Sequence, residues 1–180
     1  VKYILWRLLK FLIGGVLMFN KKVLVVFYSR TGTTREVARV LAQNIDCDVE
    51  EIVDKTNRNG LIGFIKSGFA ALRGLSTQIE NTKYDASSYD ILIIGTPVWA
   101  GHVSCAVRAY LEENARNLKK VAFFSTASGD TDDKVFIDME KLCAKKPLSV
   151  LRINSKQIKS GEYEKEAKKF IGEIIANQNR

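Results

Sequence analysis

Residues 23–38 read VLVVFYSRTGTTREVA, passing from an apolar run through a polar loop into a helical pattern. The continuous run Val23–Tyr28 predicts a central strand of a parallel sheet, because such strands are covered by helices on both faces. Thr33 or Thr34 is predicted to cap the helix that follows, and Glu36 would complete a capping box. The stretch therefore predicts a strand–loop–helix unit.

The loop in this unit, Ser29–Thr34, carries more polar groups than a helix cap requires. Its four hydroxyls belong to Ser29, Thr31, Thr33 and Thr34. Gly32 would let the backbone approach an anion closely, and the helix N-terminus exposes free N–H groups. Neither the GxxxxGK nor the GxGxxG pattern is present. These donors suit a terminal monophosphate, while a simple cap with turn residues is the alternative that the loop alone leaves open.

Composition places the chain among ordinary globular proteins. Its 180 residues are most simply one domain, large enough to bury about two-thirds of its unfolded surface. Cys47, Cys105 and Cys143 form no CxxC pair and there is one histidine, so we expect neither a disulfide framework nor a metal site, and a reducing cytoplasm is favoured. The net charge of +8 includes no run of bases interleaved with aromatic residues. We therefore expect no nucleic-acid partner.

Residues 1–20 differ from the rest and are interpreted as an apolar, basic extension before a domain of residues 21–180. They carry three basic residues and no acidic one. Their uninterrupted apolar run, Phe11–Phe19, is far shorter than the roughly 20 residues of a membrane span. Residues 1–19 could rest on anionic lipid as a basic interfacial helix, giving peripheral membrane contact. Alternatively, Met18 is the true initiator and the residues before it are upstream sequence.

From Val23 onward, strand patterns alternate with helical patterns. Further strands are predicted at Cys47–Val53, Ile91–Gly95, Val121–Ser125 and Leu148–Ile153. Further helices are predicted at residues 61–72, broken by Gly63, Gly68 and Gly74, at Val103–Ala115, at Thr131–Lys146 and at residues 167–175. Five strands alternating with five helices predict an α/β fold, a three-layer sandwich with a five-stranded parallel sheet.

Three of the predicted strands end in unusual loops at the same edge of this sheet. TPVWAGH, residues 96–102, follows the third strand, and STASGD, residues 125–130, follows the fourth. Right-handed crossovers bring the carboxyl ends of the strands together, and ligands of open α/β sheets bind at this edge.

The second and third loops suit a flat aromatic ligand. Trp99 could belong to the core or stack on a ring, and the small residues beside it leave space for one. The small residues of the third loop can bring backbone N–H groups against a ring edge. A phosphate loop, an aromatic surface and a backbone edge together fit flavin mononucleotide (FMN).

These residues resemble the flavodoxin-like FMN-binding proteins over about residues 21–178. The most specific likeness is Ser29-x-Thr31-Gly32-x-Thr34, which looks like the family's S/T-x-T-G-x-T phosphate loop between strand and helix. The resemblance implies strand order 2-1-3-4-5 and FMN as cofactor. It implies that the FMN phosphate is bound by Ser29, Thr31, Gly32, Thr33 and Thr34.

The same resemblance assigns the flavin ring to the two later loops. The first ring-binding loop would comprise Thr96, Pro97, Val98, Trp99, Ala100 and Gly101, with Trp99 flanking the isoalloxazine. The second would comprise Ser125, Thr126, Ala127, Ser128, Gly129 and Asp130.

Three features depart from the family pattern. The second ring loop lacks an aromatic residue, which would leave one flavin face open to a substrate or partner. Arg30 adds a positive side chain that we expect to point outward or to strengthen the phosphate site. Residues 21–155 are mildly basic, whereas electron-carrier flavodoxins are typically acidic to steer towards basic partners.

By this resemblance, the chain is expected to transfer electrons through bound FMN to a redox partner protein or a small electron acceptor. The alternative is an FMN-dependent oxidoreductase acting on a quinone or similar substrate at the membrane surface, of the NAD(P)H:quinone reductase or protoporphyrinogen oxidase type. No catalytic residue is assigned; His102 could contact the flavin or a substrate, although a structural role is its ordinary interpretation. The sequence does not indicate the oligomeric state.

Two flavin-free classes with similar topology fit less well. A response-regulator receiver needs clustered acidic residues after the first strand, and a low-molecular-weight phosphatase needs a cysteine within its phosphate loop. The loop Ser29–Thr34 contains neither.

Overall fold

The computed structural model describes residues 21–56 and 60–179, in which strands and helices alternate. The strands are β1 Val23–Phe27, β2 Asp48–Glu51, β3 Ile91–Trp99, β4 His102–Val103, β5 Lys120–Ala127 and β6 Val150–Asn154. The α-helices are α1 Thr33–Asn44, α2 Gly60–Leu72, α3 Cys105–Asn114, α4 Lys134–Cys143, α5 Ser155–Ser160 and α6 Tyr163–Asn177.

Five strands form a parallel sheet in the order β2-β1-β3-β5-β6, and the two-residue β4 pairs antiparallel with the end of β3. Leaving β4 aside, this is the predicted order 2-1-3-4-5, and the predicted fold class is confirmed. β1 pairs with β2 on one side and with β3 on the other. The connections that leave β1 and β3 therefore diverge, which creates the switch point where open α/β sheets bind ligands.

Helices cover both faces of the sheet, which explains why β1 is apolar throughout. Val23, Val25 and Phe27 pack on the side of α1 and α6, whereas Leu24 and Val26 pack on the side of α2, α3 and α4. The side chains of β1 are at most 3% exposed. Burial of each contributes about 1.5–3 kcal/mol, so this strand anchors the three layers.

The start of α1 corrects the predicted helix cap. Gly32, rather than Thr33 or Thr34, occupies the N-cap position with a φ of 95°, and as a glycine it has no side chain to cap the helix. Glu36 does not form the predicted capping box; its carboxylate accepts hydrogen bonds from the Arg39 guanidinium and from the Tyr163 hydroxyl, the latter at 3.1 Å. The N-cap residue of α1 has a left-handed backbone, a conformation that favours glycine. This explains why Gly32, and not a threonine, occupies that position.

Two helices differ from the sequence pattern. The helix α2 continues through Gly63 and Gly68 instead of breaking, and the Ser67 hydroxyl donates to the Gly63 carbonyl at 2.6 Å. The unpredicted α5 follows β6 and starts with a capping box between Asn154 and Gln157. Six α-helices therefore occur in the described ranges where five were predicted. Each internal glycine costs a helix about 1 kcal/mol relative to alanine, which does not prevent α2 from forming.

The predicted extension, residues 1–20, lies outside the described residues. Within 21–56 and 60–179, no helix combines the length and the apolar character that crossing a bilayer requires. The division between an extension and a domain from residue 21 stays a prediction.

Candidate cofactor-binding site

The carboxyl ends of β1, β3 and β5 surround a cavity of about 330 Å³. This size lies within the range of about 300–1,000 Å³ typical of small-molecule sites. The predicted site residues that line it are Arg30, Thr31, Thr33, Thr34, Pro97, Val98, Trp99, Ala100, Thr126, Ala127 and Ser128. The predicted residues outside its lining are Ser29, Gly32, Thr96, Gly101, Ser125, Gly129 and Asp130. The fold thus brings residues from all three loops to one cavity.

The first loop is held in shape by the Ser29 hydroxyl. Its Oγ accepts hydrogen bonds from the backbone N–H of Gly32 at 3.1 Å and of Arg35 at 3.3 Å. These bonds fold the loop back on itself and leave Thr31 and Thr33 on the cavity side. Ser29 therefore shapes the loop rather than lining the cavity.

The amino end of α1 makes this part of the cavity favourable for an anion. The first backbone N–H groups of a helix have no carbonyl partner within the helix, and the helix dipole is positive at this end. Arg30 lines the cavity as well as a neighbouring cleft that includes Arg35 and Glu51. Helix dipole and Arg30 together favour negative charge here.

The charge of Arg35 is directed away from this cavity. Its Nε and one terminal nitrogen donate to the Glu51 carboxylate, both at 2.7 Å. These hydrogen bonds raise the pKa of the Arg35 guanidinium above its ordinary value. Because the pair is largely exposed, its contribution to stability is small. Arg30 is consequently the arginine of this loop region that lines the cavity.

A buried hydroxyl pair connects the first loop to the third. The Oγ1 atoms of Thr34 and Thr126 lie 2.8 Å apart, and either can donate. Thr34 is 1% exposed and Thr126 is 3% exposed, so water does not readily replace either partner. The pair fixes the spacing between α1 and the end of β5 at the cavity wall.

The coupling between the two buried hydroxyls is measurable. Replacing Thr34 by valine leaves the Thr126 hydroxyl buried without its partner, and we expect the unfolding free energy of the cofactor-free protein to fall by about 1–3 kcal/mol. The double substitution T34V/T126V removes both hydroxyls and should restore most of that loss. Urea denaturation of the two single variants and the double variant measures the coupling. Strictly additive losses would show that the hydroxyls do not stabilise each other.

The tryptophan of the second loop is mostly buried but still borders the cavity. Trp99 is 6% exposed and contacts the edge of Tyr28, with ring centroids 5.7 Å apart and planes at 90°. Such edge-to-face pairs stabilise by about 0.5–1.5 kcal/mol beyond area burial. Trp99 therefore packs in the core, as one interpretation of the sequence predicted, and also lines the cavity. Its stacking on a ring stays a prediction.

The loop after Trp99 is a tight β-hairpin. Trp99 pairs with His102 across the two-residue turn Ala100–Gly101, and both turn residues have positive φ, 49° and 82°. Two positive φ values are typical of the type I′ turn, whose twist matches that of the flanking strands. The hairpin therefore presents a defined backbone edge at the cavity mouth through Ala100.

Thr96 supports this hairpin from beneath. Its Oγ1 donates to the Pro97 carbonyl at 3.0 Å and accepts from the backbone N–H of Ser104 at 3.1 Å. The Ser104 side chain in turn accepts from the Val107 N–H and caps α3. Thr96 is fully buried, so it positions the loop instead of facing the cavity.

His102 makes a close contact with a residue distant in sequence. Its Nδ1 lies 2.7 Å from the Asp138 Oδ2 on α4, and the two side chains are 13% and 18% exposed. This contact ties β4, and so the hairpin, to α4. His102 is not part of the cavity lining, which fits a positioning role. Cys105 is fully buried at the start of α3.

The third loop is supported by residues that the sequence patterns did not single out. The Asn154 side-chain N–H donates to Asp130 at 2.8 Å, and the Ser155 hydroxyl donates to the Ala127 carbonyl at 3.4 Å. Ser155 and Gly68 also line the cavity. Neither belongs to a recognisable motif, because α5 and α2 reach the cavity only through the three-dimensional fold.

Comparison with known families and structures agrees with this architecture. The model of the family described as flavodoxin domain matches residues 70–162. A comparison with curated proteins gave no match. Among solved structures, a flavoprotein in complex with FMN from Lactobacillus acidophilus NCFM is 21% identical, with 78% of this chain and 97% of that chain covered and a TM-score of 0.66.

Two further structures share the fold at lower identity. Oxidised flavodoxin 2 from Bacillus cereus is 16% identical, covering 86% of this chain and 98% of that chain with a TM-score of 0.55. A flavodoxin, WrbA-like protein from Agrobacterium tumefaciens is 13% identical, covering 89% and 99% with a TM-score of 0.56. Because the family model matches residues 70–162, just over half of the 180 residues, this chain belongs to the flavodoxin domain family.

Proposed function

We propose that this protein binds FMN in the cavity at the carboxyl edge of the sheet and transfers electrons through it. The observation that carries the proposal is the convergence of a hydroxyl-rich loop at a helix N-terminus, a tryptophan and a small-residue loop on one cavity. Family membership supports the same cofactor, as does the FMN complex of the Lactobacillus acidophilus flavoprotein.

The donor groups fit the two chemically different ends of FMN. Thr31, Thr33 and the α1 amino end offer neutral donors for a phosphate, and Arg30 adds a positive charge. At the other end, Trp99 and the backbone of Ala100 offer a flat apolar surface and polar edge groups. This arrangement matches an anionic head joined to an aromatic ring system.

When bound, FMN supplies the capacity to accept and donate electrons, while the protein positions it and tunes its potential. The phosphate loop would anchor the cofactor, because hydrogen bonds to a charged group are the stronger ones. Trp99 and Val98 would exclude water from the ring, and the hairpin backbone would face its polar edge. The contact between His102 and Asp138 would keep this hairpin in place.

Titration with FMN and with riboflavin tests the proposal. Both ligands carry the same ring, but riboflavin lacks the phosphate, so we expect FMN to bind about 100-fold more tightly, a difference of roughly 2.8 kcal/mol. Quenching of flavin fluorescence measures both affinities. Equal affinities would contradict the phosphate-loop assignment, and failure to bind either flavin would contradict the cofactor.

A second candidate function is an FMN-dependent oxidoreductase acting on a quinone or similar small substrate. The observation that favours it is the third loop, whose cavity-lining residues Ala127 and Ser128 place no aromatic ring there and leave room for a substrate. Anaerobic mixing of the FMN-loaded protein with NADH or NADPH distinguishes the two. Rapid bleaching favours the oxidoreductase, whereas reduction only through a separate reductase favours an electron carrier with a redox partner protein.

Peripheral membrane contact through residues 1–19 also belongs to this proposal. The support is their sequence, apolar with three bases and no acid. Basic amphipathic segments of this composition bind the interface of anionic membranes.

A further inference from the structure

Lysines concentrate at the edge of the sheet opposite the cavity, where the parallel strands begin. We name this group the lysine edge. It comprises Lys21, Lys22, Lys119, Lys120, Lys145 and Lys146. Each lies directly before, or within a few residues of, the start of β1, β5 or β6. Three loops distant in sequence therefore bring positive charge to one surface.

Four of these lysines surround a second cavity. It has a volume of about 490 Å³ and is lined by Lys119, Lys120, Lys145, Lys146, Pro147, Leu148 and Asn177. The Lys120 ammonium donates to the Gln178 carbonyl at the end of α6. The cavity thus combines positive charge with an apolar floor from Pro147 and Leu148.

The carboxylates beside the lysine edge offset only part of its charge. Asp90 accepts from the Lys22 backbone N–H at 3.0 Å and lies 3.5 Å from the Lys119 ammonium. The Lys22 hydrogen bond, with smaller contributions from Lys119 and Lys21, lowers the pKa of Asp90. Glu173 accepts from Ser149 at 2.5 Å. Asp90 and Glu173 thus lie beside the lysines of β1, β5 and β6, Glu140 lies near Lys145, and Asp46 and Asp48 lie by β2.

The chain enters the described structure at this same surface. Residue 21 belongs to the lysine edge, and residues 1–20 precede it with bases at Lys2, Arg7 and Lys10 and an otherwise mostly apolar sequence. A segment with both basic and apolar residues therefore directly precedes the positively charged lysine edge in the chain. Apolar residues beside bases suit a lipid interface, where the two kinds of side chain find separate partners.

We propose that the lysine edge docks on the surface of an anionic lipid bilayer, with a lipid headgroup phosphate in the cavity between Lys119 and Lys146. Each lysine near an anionic membrane contributes about fivefold in affinity, so several acting together give measurable binding. This docking surface extends the proposed membrane contact of residues 1–19 to a surface of the folded domain, and it is independent of cofactor occupancy.

The test is co-sedimentation of the full chain with vesicles. We expect binding to phosphatidylcholine vesicles containing about one-third phosphatidylglycerol, weaker binding at high salt and little binding to pure phosphatidylcholine. The variant K119Q/K145Q/K146Q should bind at least about tenfold more weakly. The matched control K165Q/K168Q/K169Q removes the same charge from exposed positions on α6 and should change binding by less than about threefold.

Both variants should keep the circular dichroism spectrum and the FMN affinity of the parent, which separates docking from cofactor binding and from misfolding. Equal vesicle binding by the two variants would overturn the proposal, as would equal binding to neutral and anionic vesicles. Tighter binding to a DNA duplex or to inorganic phosphate than to the vesicles would instead assign the lysines to a different anion.

Discussion

Replacing Gly32 by alanine is expected to weaken FMN binding by about tenfold or more. Gly32 has a φ of 95°, and its N–H donates to Ser29 to hold the phosphate loop. A side chain in this left-handed conformation costs about 1–3 kcal/mol, and every factor of ten in affinity corresponds to about 1.4 kcal/mol. The loop can relieve the strain only by leaving the shape that aims its donors at the cavity. Fluorescence titration with FMN measures the loss.

Gly161→Ala is the matched control for this substitution. Gly161 ends α5 with a φ of 77°, and a Cβ there would meet no atom within 4 Å, so the backbone strain is similar but lies outside the phosphate loop. We expect G161A to lower stability while leaving the affinity for FMN near that of the parent. Equal loss of affinity in both variants would indicate general destabilisation and not a role of the phosphate loop.

Replacing Gly95 by alanine is expected to lower the unfolding free energy by about 3 kcal/mol. Gly95 lies in β3 directly beside Phe124 of β5, and a Cβ at this position would lie 2.0 Å from Cζ of the Phe124 ring. Phe124 is fully buried, so its ring has little space into which it can move. Urea denaturation monitored by circular dichroism measures the change.

Two controls separate this clash from other effects of alanine. Gly172 in α6 is exposed with open space around it, so G172A should be neutral or stabilise by up to about 1 kcal/mol through helix propensity. Replacing Phe124 by leucine in the Gly95→Ala background should recover part of the lost stability, because the smaller side chain removes the overlap. Additive losses in that double variant would contradict the proposed contact.

The fold could be predicted because the sheet is parallel and covered on both faces. That burial leaves uninterrupted apolar runs such as Val23–Phe27 and Ile91–Ile94, which stand out from amphipathic helices. The strand order was predicted because Ser29-x-Thr31-Gly32-x-Thr34 resembles the phosphate loop of the flavodoxin-like proteins. Local sequence patterns predicted two features wrongly. They predicted a break in α2, which continues through two glycines, and a threonine cap for α1, where the left-handed backbone places a glycine.

The candidate site was only partly visible in the sequence. Residues that follow strands, such as Thr31 and Trp99, could be identified because the fold fixes where strands end. Ser155 and the contact between His102 and Asp138 could not, since they depend on how elements distant in the chain pack together. The hairpin at Ala100 was also missed, because a positive φ at alanine runs against its ordinary preference.

The opposite placement of the cavity and the lysine edge constrains the partner of this protein. The two lie at opposite ends of parallel strands, and β1 alone, with five residues, spans about 16 Å. A molecule resting on a bilayer through its lysines would therefore turn the cavity towards the aqueous phase. Electrons would be exchanged with a water-soluble protein or molecule, and a quinone dissolved in the hydrocarbon interior would lie out of reach. Lipid docking would thus favour the carrier over the membrane-quinone oxidoreductase.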